Sequence, residues 1–168
     1  RHGRFLGDFE RRVNPDGVQV GYHAFKVHRI SNDMLQREEP FGVVGVELNI
    51  FFDHHLHDRD EGILVSHNIS TDLQFLFCEY IRAELTLNRK IKFGLCTYQS
   101  LKSLKTRYSA ANDSEWTEVT QTGNRCYSVK CCAQYALSCR TPPANFSIVC
   151  GRHHEAKADV KAIAVILF

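Results

Sequence analysis

The hydrophobic period of this chain changes inside one stretch, residues 71–100, TDLQFLFCEYIRAELTLNRKIKFGLCTYQS, and the change limits what can surround it. Leu73, Leu76, Phe77, Tyr80 and Ile81 recur at helical spacing, and Ser70, Thr71 or Asp72 is placed to cap the first turn by accepting its unpaired N–H groups. Beyond them the period falls to two. Ile81, Ala83, Leu85 and Leu87 lie on one side and Arg82, Glu84 and Thr86 on the other, the pattern of a half-buried strand. Asn88, Arg89 and Lys90 break that pattern before Ile91, Phe93 and Leu95 resume it. The stretch predicts a short helix feeding two strands.

The rest of the chain reads in the same key. Asn14-Pro15-Asp16-Gly17 is a turn signal, because proline presets one dihedral and glycine tolerates the next. Val18, Val20, Tyr22 and Ala24 alternate and then slip to Phe25 and Val27, as at a β-bulge. Residues 31–40 are polar without a period and predict a loop or short helix. The cleanest alternation is Val44, Val46, Leu48, Ile50 and Phe52. A polar loop over 53–62 precedes a short strand at 63–65. Residues 101–124 read as long loops, the kind that carry function or variation. Strands are predicted at 127–137, at 146–150 after Pro142-Pro143, and at 160–168, where Lys161 is the one charged residue and the apolar run predicts a central strand of the sheet. About eight strands and one or two short helices define an all-β chain, a jelly-roll β-sandwich over 14–168 behind a basic arm at 1–13.

Composition removes several alternatives. The 168 residues are enough for a real core, with 43% hydrophobic and 24% charged residues, and no apolar run approaches the roughly 20 residues of a membrane span. A net charge of +2 does not identify a nucleic-acid binder without a local cluster. No GxSxG elbow, Walker loop or GxGxxG turn is present. The seven cysteines form no CxxC pair, which argues against a zinc ribbon. Asn68, Asn112 and Asn145 begin glycosylation triplets, so a secreted, disulfide-bearing domain stands beside one whose thiols are free and buried. The absence of an initiator Met and of a signal peptide suggests a processed or trimmed form, which leaves secreted and cytoplasmic locations open.

Arg1, Arg4, Arg11 and Arg12 supply the local cluster at the start of the chain, with a solvated terminus as the competing reading. Together with a short aromatic helix leading into Tyr80-Ile81-Arg82, alternating strands, a loop-rich region and an apolar last strand, this order resembles the jelly-roll coat proteins of small icosahedral viruses. The resemblance implies a subunit of a virion that assembles with copies of itself. The four arginines would hold viral nucleic acid through its phosphates without reading sequence. A secreted β-sandwich binding domain, with sugar on Asn68 or Asn145, is the bland counterpart.

One loop suggests chemistry. His55, His57 and Glu61 have the spacing HxHxxxE, which can place two imidazoles and a carboxylate on three sides of a metal. The motif resembles the first motif of cupins, and FFDHHLHDRDE is similar to acireductone dioxygenases, whose jelly-roll barrels cleave an enediol with dioxygen. That resemblance implies a bound Fe, Ni or Zn with His154 as the later ligand, and a metal-dependent oxygenase as the second functional reading. The competing reading is a solvated polar loop.

Overall fold

A computed structural model describes residues 6–58, 60–100 and 160, and among these described residues four named helices and two strands carry most of the regular structure. In chain order these are α1 (Tyr22–His28), α2 (Asn32–Leu35), α3 (Phe41–His55), β1 (Gly62–Ser66), α4 (Ile69–Arg82) and β2 (Ile91–Cys96). β1 and β2 pair in a parallel sheet, with α4 as the connection between them. The described residues therefore form an α/β arrangement, and the expected all-β jelly-roll sandwich is overturned. The strands expected at 127–137, 146–150 and 160–168 and the loops at 101–124 lie outside the described residues, Val160 apart.

The largest correction is α3. Residues 44–52 alternate in apolarity, yet they belong to a helix in which Val43, Val46, Ile50 and Asp53 are exposed, at helical intervals of three and four. Val44 and Gly45 are buried between those positions. Apolar residues occupy nearly every side of this segment, so a period of two was available by coincidence. Its 15-residue length and the extended Pro40 before its first turn both favour a helix. A smaller correction applies to residues 18–27. They hold no strand: α1 occupies the second half, buries none of its residues, and ends at Arg29 in the left-handed conformation.

α4 matches the helical spacing, with Leu73 and Leu76 half-buried, Tyr80 buried, and Phe77 and Ile81 exposed. It does not feed a strand. The helix stops in a Schellman turn, where Leu85 N–H donates to the Tyr80 carbonyl, Glu84 N–H donates to the Ile81 carbonyl, and Glu84 takes φ 54°. Residues 85–88 then run on without a strand partner, so the alternation of Leu85 and Leu87 belongs to a helix exit. β1 and β2 occupy the places expected for Ile63–Val65 and for Ile91 to Leu95.

Two compact units divide the chain. One comprises Arg1–His2, Val65–Ser70 and Gly94–Phe168, the other Gly3–Leu64 and Thr71–Phe93. In the second unit α3 and α4 meet at Gly45. A Cβ there would stand 2.9 Å from Leu85 Cδ1 and 3.0 Å from Phe41 Cε1, so the missing side chain permits the close approach. Phe41 and Tyr80 pack edge to face at 5.2 Å between ring centroids. The Tyr80 hydroxyl bonds the Gly45 carbonyl and Asn49 Oδ1, each at 3.1 Å. Burying such a ring contributes roughly 1.5–3 kcal/mol.

Candidate functional site

The residues singled out in the sequence are placed as follows. Arg1, Arg4 and His154 lie outside the described residues. Arg11 is not held out as a free arm: its Nε donates to Glu47 Oε2 at 2.9 Å, and its guanidinium lies 5.2 Å over the Phe9 ring. Phe9 in turn packs on Phe51 at 5.7 Å, so this segment runs along α3. Arg12 is exposed. His55 is the last residue of α3, half-buried against Phe51 at 4.5 Å and His54 at 4.7 Å. His57 and Glu61 are exposed in the following loop, where the His57 N–H is held by the Asp60 carboxylate at 2.9 Å. Among the described residues no group of three or more His, Cys, Asp or Glu side chains is arranged to hold a metal ion. The polar loop thus begins after a helix instead of at the rim of a barrel.

A second polar cluster joins α3 to the segment before β2. Asn49 Oδ1 accepts the Asn88 N–H at 2.9 Å, while Asn49 Nδ2 donates to the Thr86 carbonyl at 2.9 Å. Asn88 Nδ2 donates to Asp53 Oδ1 at 2.9 Å and to the Asn49 carbonyl at 3.3 Å, and its Oδ1 accepts the Lys90 N–H at 2.9 Å. Lys90 Nζ bonds the Leu56 carbonyl at 2.8 Å and Asp53 at 3.0 Å. The Asn88 amide, followed by Lys90, holds the Asp53 carboxyl below its usual range. Tyr80 is pushed up by burial. Since these groups satisfy one another, the cluster works as a latch that fixes an irregular segment to a helix.

The third cluster lies at the carboxyl ends of β1 and β2, within the unit that holds 65–70 and 94–100. Both strands turn from apolar to polar at this end: GILVS runs into His67-Asn68-Ile69-Ser70, and IKFGLC into Thr97-Tyr98-Gln99-Ser100. Each also runs into helical backbone, at Ile69 after β1 and over 97–100 after β2. His67 Nδ1 stands 3.0 Å from Thr97 Oγ1, and that hydroxyl stands 3.4 Å from the Ser66 carbonyl. Thr97 is 1% exposed.

The His67 backbone is fixed as well as its ring. Its carbonyl accepts from Tyr98 N–H at 3.3 Å and from the Cys96 thiol at 3.2 Å, and its ring packs edge to face on Tyr98 at 5.7 Å. Asn68 N–H donates to Ser66 Oγ at 3.4 Å, and Ser70 Oγ donates to Asn68 Oδ1 at 3.3 Å. Cys96 and Cys78 are free thiols. Parallel pairing brings His67 and Thr97 together across 30 positions. The sequence reading missed this pair, treating Asn68 as the start of a glycosylation triplet. The legible signal was that two neighbouring strands become polar at the same end.

No helix among the described residues is long and apolar enough to cross a membrane. No protein-family model, curated protein or solved structure matches this chain.

Proposed function

We propose that this chain is an α/β domain that binds a phosphate-bearing ligand at the carboxyl ends of β1 and β2, with His67 as its proton-handling residue. The observation that carries the reading is the 3.0 Å contact between His67 and the buried Thr97 at those strand ends. In open α/β sheets ligands bind outside the carboxyl ends of the strands. Backbone N–H groups of a helix that begins there favour an anion, and two helical segments begin there. Histidine both accepts and donates a proton near neutral pH. A phosphate ester draws on all three properties, because it is an anion to be held and has bridging oxygens that need a proton on leaving.

Nucleic acid, the partner expected from Arg1, Arg4, Arg11 and Arg12, is the polymeric member of this class. The coat-protein and cupin readings both implied a jelly roll, which the described residues do not form. The test is a titration of the purified chain with inorganic phosphate, a mononucleotide and a short single-stranded oligonucleotide, following the imidazole signals of His67. The expected result is a saturable shift with at least one of them, with affinity reduced about tenfold or more in His67→Gln, the scale of one charge-assisted hydrogen bond. Unmoved His67 signals with all three would overturn the proposal.

A further inference from the structure

We infer that Glu47, Phe51 and His55 form a recognition row on α3 for an extended peptide of a partner protein with the pattern small-x-aromatic-x-basic, and that residues 6–13 cover this row as an internal competitor. The three helix residues recur at every fourth position, so they share one face and stand about 6 Å apart along the axis. An extended chain advances about 6.5 Å in two residues, and the segment meets the row in that register, antiparallel to the helix. Gly7 lies at His55, where a Cβ would stand 2.9 Å from Nε2 and 3.5 Å from Phe51 Cε2, so a side chain fits only if the imidazole moves. Phe9 packs on Phe51 at 5.7 Å between ring centroids. Arg11 Nε donates to Glu47 Oε2 at 2.9 Å, and its guanidinium lies 5.2 Å over the Phe9 ring.

Each rung reads one property of an extended guest: the first limits bulk, the second takes a ring and the third takes a cation. The third is open to water. Arg11 and Glu47 have side chains 53% and 42% exposed, and a pair so exposed holds its partner weakly. The internal segment gains from its tether, because Asn14 N–H donates to the Glu39 carbonyl at 2.9 Å and fixes the near end beside the start of α3. Tethering gives it an effective concentration on the order of millimolar against any guest. The row also continues past these three contacts. Val43, one turn before Glu47, is 43% exposed, and Ile50 beside Phe51 is 63% exposed. A guest that covers both buries apolar surface that remains open with 6–13 in place, and this surplus favours a partner over the internal segment. The row lies within the unit that holds 3–64 and rests on none of the chemistry at His67.

Fluorescence anisotropy of a labelled peptide with the sequence of residues 6–13, titrated with the full chain, tests the inference. Phe9→Ala and, separately, Arg11→Glu in the chain loosen the internal segment, and each is expected to bind the peptide about tenfold or more tightly than wild type, with unchanged far-ultraviolet circular dichroism. Glu47→Arg added to the Phe9→Ala chain is expected to lose that gain, and a peptide carrying the Arg11→Glu change to recover it. A peptide that keeps only the Gly7, Phe9 and Arg11 positions, with serine elsewhere, is expected to bind as the native one does. Binding no tighter in a folded, loosened chain, binding indifferent to the charge at Glu47, or failure of the serine peptide would overturn the inference. So would a loosened chain that doubles its mass by light scattering and takes up no peptide, because the row would then belong to a second copy. If Phe9→Ala does not fold, Arg11→Glu, a change at an exposed side chain, decides.

Discussion

Asp53 shows how a single exposed carboxylate can matter through its partners. The Asn88 side-chain amide and then Lys90 lower its proton affinity, so the folded state binds a proton less readily than the unfolded chain, whose ordinary value is 3.8. Stability from this group is present above that value and is lost as pH falls through the lower folded one. The stability difference between wild type and Asp53→Asn is therefore expected to be largest near neutrality and to shrink on acidification below about 3.8. Urea midpoints of both proteins across that range check it; a difference that grows on acidification would refute the assignment. The bonds of Asp53, Asn88 and Lys90 were hidden in the sequence because 35 positions separate Asp53 from Asn88.

Among the elements, the turn before α1 was the easiest to read. Asn14-Pro15-Asp16-Gly17 does turn, with Val18 N–H donating to the Pro15 carbonyl at 3.1 Å. Asp16 and Gly17 take φ 51° and 84°, which makes it a type I′ turn with proline at its first position instead of its second. A Cβ on Gly17 would meet nothing within 4 Å, so Gly17→Ala isolates backbone strain from packing. The expected cost is about 1 kcal/mol, read from the denaturant midpoint. No loss of stability would mean that this segment does not contribute to the cooperative transition. α3 was misread for the opposite reason: it carries apolar residues on so many sides that its buried face has no local signature, and Gly45 faces inward only because Tyr80 and Leu85 come to it.

For the molecule as a whole, the core of the unit formed by 3–64 and 71–93 is centred on Tyr80, which with Val44 makes up the buried apolar residues among those described. Tyr80→Phe keeps the ring and removes the hydroxyl bonds to Gly45 and Asn49, at an expected cost of about 1 kcal/mol. Tyr80→Ala also empties the space against Phe41 and is expected to cost about 3–5 kcal/mol. Equal losses by chemical denaturation would show that the hydroxyl, and not the packed ring, holds α4 on α3. What could be read from residues alone was whatever a short window encodes: the half-buried stripe of α4, the apolar runs of β1 and β2, and a turn at 14–17, which the structure sets one residue later. The fold class, the helix at Phe41–His55 and the meeting of His67 with Thr97 depended on contacts between distant segments. Periodicity describes which side of an element is apolar, whereas the burial of that side and the partner it meets are set by packing that no local pattern contains.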